Sequence, residues 1–261
     1  MNLMKPVKLK NVDRTFEDYC NTVREEELSS INYLNSSDIS WHVPESLKKK
    51  VSSSGQIMPY FGDTVVLNLE KEDINFLSAF QSKLLEELPD LFSEPLEKKY
   101  FHITLHDLTS GIDKSVIEHK MEENRVKCEK IFIDLRDYFK KFPNQATVTL
   151  KPLFIYPCCN ISMVMGFIPF TERDFRIIMN MYNLFDDVIY LDYWLRLHMT
   201  LAYFKPTGFS KEQIRRLYDT LIGFKMPDFV IKLDIRNLTY QRFNSMNEYS
   251  NVLILSFEFY L

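Results

Sequence analysis

Two tetrapeptides in this chain of 261 residues place a histidine two positions before a threonine: His102 with Thr104, and His198 with Thr200. Histidine, whose ordinary pKa is about 6.5, can accept or donate a proton near neutral pH. A threonine hydroxyl can donate a hydrogen bond to an oxygen that becomes more negative during a reaction. Two imidazoles and two hydroxyls around one tetrahedral anion suit phosphodiester cleavage, in which one imidazole removes a proton and the other protonates the leaving oxygen.

Strands are the elements that would position these groups. Residues i and i+2 of a strand share a face, so each imidazole is expected beside its threonine hydroxyl. The intervening and following residues are apolar and are expected to point into the core: Ile103, Leu105, Met199 and Leu201. The two histidines are 96 residues apart, and the β-prone runs that begin near Thr64 and Asn160 have the same separation. Each half is therefore predicted to contain a strand, a helix and a histidine-bearing strand in that order, which indicates an internal duplication.

The remaining pattern divides the chain into an appendage and a main domain. Residues 1–55 are predicted to form a helical appendage, with a helix over 15–34 and a Ser/Gly-rich break at 52–55. The main domain is predicted over 56–261, in lobes of about 56–145 and 146–261, and strand exchange between the lobes is left open. Its predicted helices are 72–91, 113–142, 171–185 and 210–224, and its predicted strands are 64–69, 100–106, 146–156, 160–170, 195–204, 229–240 and 251–261.

Composition restricts how this chain could bind phosphate and which partners it suits. It has only six glycines and neither a G-x-G-x-x-G nor a G-x-x-x-x-G-K-[ST] motif, so side chains rather than a glycine-rich backbone loop would have to hold phosphate. The formal net charge of −4 and the sequence pI of about 5.8 disfavour binding along duplex nucleic acid. A small nucleotide or a short RNA end is the expected partner, and the oligomeric state is left open.

The remaining composition argues against a membrane, a disulfide framework and a metal. There is no signal-peptide-like start and no run of about 18 apolar residues, so the chain is expected to be soluble and cytoplasmic, without a membrane partner. Its four cysteines are expected to be reduced thiols, since Cys158 and Cys159 are adjacent and the chain is large. No metal-ligand motif is present, and we expect neither a metal nor another cofactor.

Five residues near the motifs are candidates for substrate binding: Arg196, Tyr100, Tyr203, His106 and Tyr60. By strand alternation, Tyr100, Arg196 and His106 are expected on the histidine faces. Arg196 would either hold phosphate or pair with an acid such as Asp192. Tyr100 and Tyr60 would either contact substrate, for example by stacking on a base, or simply pack. His106 has Ala202 as its counterpart in the repeat, which favours a supporting or incidental role.

The two H-x-T strands resemble the defining motifs of the 2H phosphoesterases, over about residues 56–261. This family includes LigT-type RNA 2′,3′-cyclic phosphodiesterases and eukaryotic cyclic phosphodiesterases. The longer strings at 59–66 and 197–203 are most similar to a poorly characterised bacterial and fungal branch. The resemblance implies an α/β (α+β) fold of two pseudo-symmetric lobes, with antiparallel-rich sheets lining a central cleft and helices outside. It implies His102 and His198 as acid and base, with Thr104 and Thr200 holding phosphate.

The expected function is therefore hydrolysis of a 2′,3′-cyclic phosphate, or a related phosphodiester, on nucleotides or short RNA ends. An enzyme acting on a cyclic oligonucleotide or an ADP-ribose cyclic phosphate would use the same residues, as would RNA end ligation. The alternative from another class is a non-catalytic nucleotide- or RNA-binding module that retains the fold.

Overall fold

The computed structural model of the chain describes residues 1–226 and 228–256. The strands are β1 (Val7–Leu9), β2 (Val12–Arg14), β3 (Phe61–Asn68), β4 (His102–Gly111), β5 (Thr147–Cys158), β6 (Ser162–Pro169), β7 (Leu197–Tyr203), β8 (Ile231–Asp234), β9 (Leu238–Ser245) and β10 (Glu248–Ile254). The helices are α1 (Phe16–Tyr33), α2 (Glu45–Lys48), α3 (Lys71–Glu87), α4 (Lys114–Lys141), α5 (Glu172–Phe185) and α6 (Lys211–Gly223).

Two four-stranded antiparallel sheets organise the molecule, which confirms the predicted mixed fold class. The first sheet has the order β10-β9-β3-β4, and the second has the order β7-β6-β5-β8. The two histidine-bearing strands, β4 and β7, are each an edge strand of their sheet and lie next to each other. Helices pack on the sheets, with α4 against β3 and β4 and α5 against β5 and β6.

The end of the chain differs from the prediction of two strands over 229–240 and 251–261. Residues 231–254 form three strands, because a 3-10 turn at Ile235–Asn237 interrupts the first predicted strand. The Asp234 carboxylate caps this turn by accepting a hydrogen bond from the Arg236 backbone N–H at 2.9 Å. The interruption directs β8 to the second sheet and β9 to the first. Residues 257–261 of the predicted last strand lie outside the described residues.

The N-terminal segment packs closely on the second sheet. Helix α1 begins after Thr15, whose hydroxyl accepts a hydrogen bond from the Asp18 N–H at 3.1 Å. Tyr19, Val23 and Ile31 form its buried face, and the Tyr19 hydroxyl donates to the Leu195 carbonyl at 3.1 Å. Within residues 1–226 and 228–256, no helix has the length and apolar character needed to cross a membrane.

A partly buried ion pair attaches the β1–β2 hairpin to the rest of the molecule. The Lys10 ammonium lies 2.6–2.7 Å from both carboxylate oxygens of Asp186, just after α5. It also lies over the Tyr182 ring, 4.6 Å from the centroid. Buried charges are stable only when they are paired in this way. The pairing fixes the hairpin against α5.

Candidate functional site

The four motif residues line one cavity between β4 and β7. His102, Thr104, His198 and Thr200 all contribute to its wall, and its volume is about 730 Å³. The alternating neighbours point into the core as predicted: Ile103, Leu105, Met199 and Leu201 are each 0% exposed. We call this cavity the cleft. Strand alternation therefore accounts for the position of both histidine–threonine pairs.

The two imidazoles have matching hydrogen bonds. His102 Nδ1 lies 2.8 Å from the Tyr100 carbonyl oxygen, and His198 Nδ1 lies 2.9 Å from the Arg196 carbonyl oxygen. A carbonyl oxygen can only accept, so Nδ1 carries the proton in each ring and Nε2 of the neutral ring is the proton acceptor. No hydrogen bond joins either Nε2 to another residue among those described. Each strand thus presents a positioned base to the cleft.

The electrostatic environment favours the neutral form of both rings. Burial lowers the pKa of His102, and the nearby His198 lowers it further. Burial likewise lowers the pKa of His198, and Arg196 adds to the effect, whereas the backbone carbonyls and Asp107 oppose it in both cases. The charge on His198 therefore affects the protonation of His102.

The threonine hydroxyls are available to a ligand. Neither Thr104 Oγ1 nor Thr200 Oγ1 takes part in a hydrogen bond within the described ranges 1–226 and 228–256. Each hydroxyl can therefore donate a hydrogen bond to a bound anion without first breaking a hydrogen bond to any of these described residues.

A β-bulge follows each threonine, and it changes which later residues face the cleft. On β4, Thr104 pairs with Val66 and His106 pairs with Val65, so Leu105 is an extra residue. On β7, Leu201 is extra in the same way, because Thr200 pairs with Val164 and Ala202 with Met163. Adjacent residues of the partner strand point to opposite faces, so the bulge reverses the alternation.

The prediction that His106 shares the face of Thr104 is therefore wrong. The His106 side chain is 0% exposed, and its Nε2 lies 3.2 Å from Asp186 Oδ1 while its Nδ1 lies 2.7 Å from the Asp107 carbonyl oxygen. Although His106 belongs to the cavity wall, both ring nitrogens are engaged, and burial lowers its pKa. The bulges bring Asp107 and Tyr203 to the cleft face, three residues after each threonine.

The other predicted substrate-binding residues also lie at the cleft. Arg196 pairs with Glu26 of α1 at 3.2 Å, not with Asp192, and its guanidinium lies 5.9 Å from the Trp194 ring centroid. Tyr100 belongs to a 3-10 turn rather than to β4, and its ring lies 5.7 Å from that of Tyr249.

The two remaining predicted tyrosines are held by hydrogen bonds that involve their hydroxyl groups. The Tyr60 hydroxyl hydrogen-bonds the Ser110 hydroxyl at 3.0 Å. The Tyr203 hydroxyl donates to Met246 Sδ at 3.0 Å. Both tyrosines line the cleft.

Sequence reasoning missed several residues of the cleft wall. Lys50 comes from the N-terminal segment, Asp107 follows the bulge, and Cys158 and Cys159 come from the β5–β6 turn. The missed aromatic residues are Tyr156, Tyr182, Tyr193, Trp194, Phe243 and Tyr249. The high aromatic content of 14% was the one sequence signal for such a wall, but it does not indicate which rings converge.

Helix α1 also borders the cleft side of the second sheet. Gly166 pairs with His198, so the two residues share a face of the sheet. The Glu27 carboxylate occupies the space that a side chain at position 166 would fill. Glu27 is 1% exposed, and burial raises its pKa to about 8. The missing side chain of Gly166 is what allows α1 to approach the sheet this closely.

Two solved structures similar to this chain can be named. A conserved protein of unknown function from Agrobacterium tumefaciens has 17% sequence identity and a TM-score of 0.58, over 87% of this chain and 98% of that chain. LigT from Escherichia coli, in its apo form, has 11% identity and a TM-score of 0.44, over 77% of this chain and 100% of that chain. No protein-family model and no curated protein matches the sequence. The first similarity concerns the fold alone, and the second is too low to support a conclusion.

Proposed function

We propose that this protein is a 2H-type phosphodiesterase that hydrolyses 2′,3′-cyclic phosphates, or related phosphodiesters, on nucleotides or short RNA ends. The observation that carries the proposal is the matched pair of histidines and threonines on the wall of one cleft, with both Nε2 atoms and both hydroxyls unbonded in the described part of the chain. A site that only bound a nucleotide would not need two imidazoles held in the same tautomer.

In the proposed mechanism the two imidazoles divide the proton transfers. One neutral imidazole removes a proton from the attacking water through Nε2, and the water oxygen forms a bond to phosphorus. The other imidazole is protonated and gives its Nε2 proton to the ribose oxygen as the phosphorus–oxygen bond breaks. Thr104 and Thr200 donate hydrogen bonds to the non-bridging oxygens, on which negative charge increases. Each positioned acid or base typically contributes about 10²–10⁴-fold to the rate.

The wall of the cleft supports a nucleotide as the substrate. Aromatic rings surround the motif residues, and an aromatic ring can stack on any base because every base has a π-face. The cavity of about 730 Å³ falls in the usual size range of small-molecule sites. The net charge of −4 fits a small or terminal substrate better than a long polyanion.

The test is turnover of the four nucleoside 2′,3′-cyclic phosphates and of short RNAs that end in a cyclic phosphate. We expect hydrolysis of at least one of them, and a loss of about 10²–10⁴-fold in kcat for His102→Gln and for His198→Gln. The matched control is His119→Gln, because His119 is exposed on α4 and away from the cleft.

Two outcomes would contradict the proposal. Activity that is unchanged in both His102→Gln and His198→Gln would rule out the two-histidine mechanism. Tight nucleotide binding without turnover, unaffected by either substitution, would favour the non-catalytic binding module. Paired RNA ends and an ADP-ribose cyclic phosphate in the same panel would separate ligation and the other substrate classes from the proposed one.

A further inference from the structure

Lys50 is a cation that faces the cleft and has no anionic partner in the part of the chain that the structure describes. Its ammonium lies 5.2 Å from the Tyr60 ring centroid and 5.6 Å from the Tyr203 ring centroid. No carboxylate among the described residues lies within ion-pair distance of Lys50 Nζ, and no hydrogen bond from Nζ to those residues is present. The side chain is half-buried. A partly desolvated ammonium in this position gains most from an anion supplied by a ligand.

Two other cations, Lys10 and Arg196, differ from Lys50 because each is paired with a carboxylate. Lys10 lies over a tyrosine ring as well, but Asp186 pairs with it at 2.6–2.7 Å. Arg196, the other basic residue that lines the cleft, pairs with Glu26 at 3.2 Å. Within residues 1–226 and 228–256, the chain thus provides carboxylates for these two cations and provides none for Lys50.

The surroundings hold Lys50 in place before any ligand binds. Its backbone N–H donates to the Leu47 carbonyl at 2.9 Å, and its carbonyl accepts from the Met58 N–H at 2.8 Å. The two flanking rings are anchored by the hydroxyl bonds of Tyr60 and Tyr203 described above. A preorganised cation loses little conformational entropy when it binds an anion.

Lys50 contacts the cleft wall at the last residue of β7. It lies over Tyr203, which is three residues beyond Thr200. At about 3.3 Å per residue, and less across the bulge at Leu201, Tyr203 is at most about 10 Å along the strand from the threonine. An anion above Tyr203 and a phosphate held by the threonines can therefore belong to one substrate.

We propose that Lys50 binds a second anionic group of the substrate, so that preferred substrates carry a phosphate in addition to the phosphodiester that is cleaved. This inference rests on the proposed function, because it takes the H-x-T strands as the site of cleavage. The second phosphate would come either from the preceding internucleotide linkage of an RNA end or from a phosphate monoester on a single nucleotide. A plain nucleoside 2′,3′-cyclic phosphate would leave Lys50 unpaired.

Asp107 also lines the cleft, and its carboxylate would repel an anion bound near Lys50. Its carboxylate accepts a hydrogen bond from the Tyr193 hydroxyl at 2.8 Å. It is not within ion-pair distance of Lys50, although its charge helps to keep Lys50 protonated against the effect of burial. Asp107→Asn should therefore strengthen the binding of a second phosphate.

The first experiment measures binding, so it does not depend on turnover. Calorimetry would compare adenosine 2′-monophosphate with adenosine 2′,5′-bisphosphate on the wild-type protein, Lys50→Met, Lys50→Arg and Lys49→Met. Lys49 is the exposed neighbour and serves as the matched control. We expect the wild type to prefer the bisphosphate by about tenfold or more, Lys50→Met to lose that preference, and Lys50→Arg to recover much of it.

The second experiment compares kcat/KM for three substrates that share one cyclic phosphate. These are adenosine 2′,3′-cyclic phosphate, its 5′-phosphorylated form, and an adenosine dinucleotide that ends in the cyclic phosphate. A preference for the dinucleotide identifies an internucleotide linkage as the source of the second phosphate, and a preference for the 5′-phosphate identifies a monoester. Either preference should fall about tenfold in Lys50→Met and persist in Lys49→Met.

The results separate this inference from the proposed function. Lysine-dependent preference for the bisphosphate without any turnover would support the second anion site and contradict the phosphodiesterase. Turnover with the same substrate preference in Lys50→Met as in the wild type would support the phosphodiesterase and overturn the second anion site. A wild-type protein that binds the monophosphate and the bisphosphate equally, or binds neither, would also overturn it.

Discussion

The two histidine-bearing strands have the same local geometry in different surroundings. On β4 and β7 the imidazole bonds the carbonyl two residues before it, and a bulge follows the threonine. The residue paired with His102 is Asn68, whose amide donates to the Asn237 carbonyl and the Thr239 hydroxyl. The residue paired with His198 is Gly166, against which Glu27 of α1 packs.

The neighbours of the two rings differ as well. The His102 ring meets the Tyr249 ring edge-on at 5.1 Å between centroids, so an aromatic side chain from β10 covers it. His198 has Arg196 close enough to lower its pKa. The backbones of the two histidine-bearing strands therefore match, and the two halves differ in what the rest of the chain adds to each. The first half gains an aromatic cover from β10, whereas the second half has the neighbouring cation Arg196 and gains helix α1 from the N-terminal segment.

The largest expected effect tests whether the two halves hold phosphate equally. Thr104→Val and Thr200→Val each remove one donor with little change in shape. We expect each to lower kcat by about 10²–10³-fold, as the loss of one oxyanion donor typically does. Thr207→Val, in an exposed loop, is the control. A loss confined to one of the two threonines would show that only one half stabilises the transition state.

The next effect concerns Gly166, the residue of β6 that pairs with His198, where β3 has Asn68 paired with His102. Gly166→Ala would force its new methyl group into the Glu27 carboxylate. We expect a loss of about 1–3 kcal/mol in the free energy of unfolding, measured by urea denaturation. Gly208→Ala is the matched control, because nothing lies within 4 Å of its added carbon. Combining Gly166→Ala with Glu27→Ala should recover much of the loss, and a neutral Gly166→Ala would mean that the Glu27 carboxylate moves aside without loss of stability.

A smaller effect is expected from the cation beside His198. Burial and Arg196 both lower the pKa of His198, and burial and His198 lower that of His102. The productive state has one protonated and one neutral ring, so the optimum of kcat/KM should lie on the acidic side of about 6.5. Arg196→Met removes the repulsion, raises the pKa of His198 and should move the optimum to higher pH.

The pH profile of kcat/KM for Arg196→Met gives the measurement. Arg215→Met is the control, since Arg215 is exposed on α6. We expect a shift of less than about one pH unit, because Arg196 is partly exposed and paired with Glu26. A profile that keeps its optimum while kcat/KM falls at every pH would mean that Arg196 acts through substrate binding and not through His198.

The sequence predicted the parts of this site that depend on local periodicity. The period of two within a strand was enough to put both histidine–threonine pairs on one face and Ile103 and Met199 in the core. The predicted helix starts at 171 and 210 coincide with the Thr171 cap of α5 and the Ser210 capping box of α6, because capping depends on residues within one turn. These features do not depend on contacts with residues that are distant in the sequence.

The features that the sequence did not predict depend on contacts between distant segments. A bulge inserts one residue relative to the partner strand, and nothing in the Leu105 or Leu201 side chain indicates it. Without the bulge, His106 is assigned to the face of Thr104 and Asp107 is overlooked. Lys50 lies in the predicted appendage, and only the folded chain brings it over Tyr60 and Tyr203.

The smallest expected effect concerns two thiols that only the second half brings to the cleft. Cys159 and Asn160 are the central residues of the turn between β5 and β6, with φ values of 52° and 56°. This conformation is common for asparagine and uncommon for cysteine. A hydrogen bond with the Cys158 thiol lowers the pKa of Cys159, and Arg196 lowers it further, whereas the same hydrogen bond and burial raise the pKa of Cys158. Because the thiolate is the nucleophile, Cys159 should be the more reactive of the two.

Alkylation by iodoacetamide near neutral pH, followed by mass spectrometry, measures this difference. We expect Cys159 to be modified several-fold faster than Cys158, and the buried Cys20 and Cys128 to be modified only after unfolding. Arg196→Met should slow the modification of Cys159, since it removes the cation that favours the thiolate. Because Arg196 also lies beside His198, a slower alkylation together with a shifted pH optimum would show that one side chain controls the charge of both groups. Equal rates for Cys158 and Cys159 would instead mean that the turn leaves both thiols protonated, and the electrostatic difference between the two halves would then be confined to the histidines.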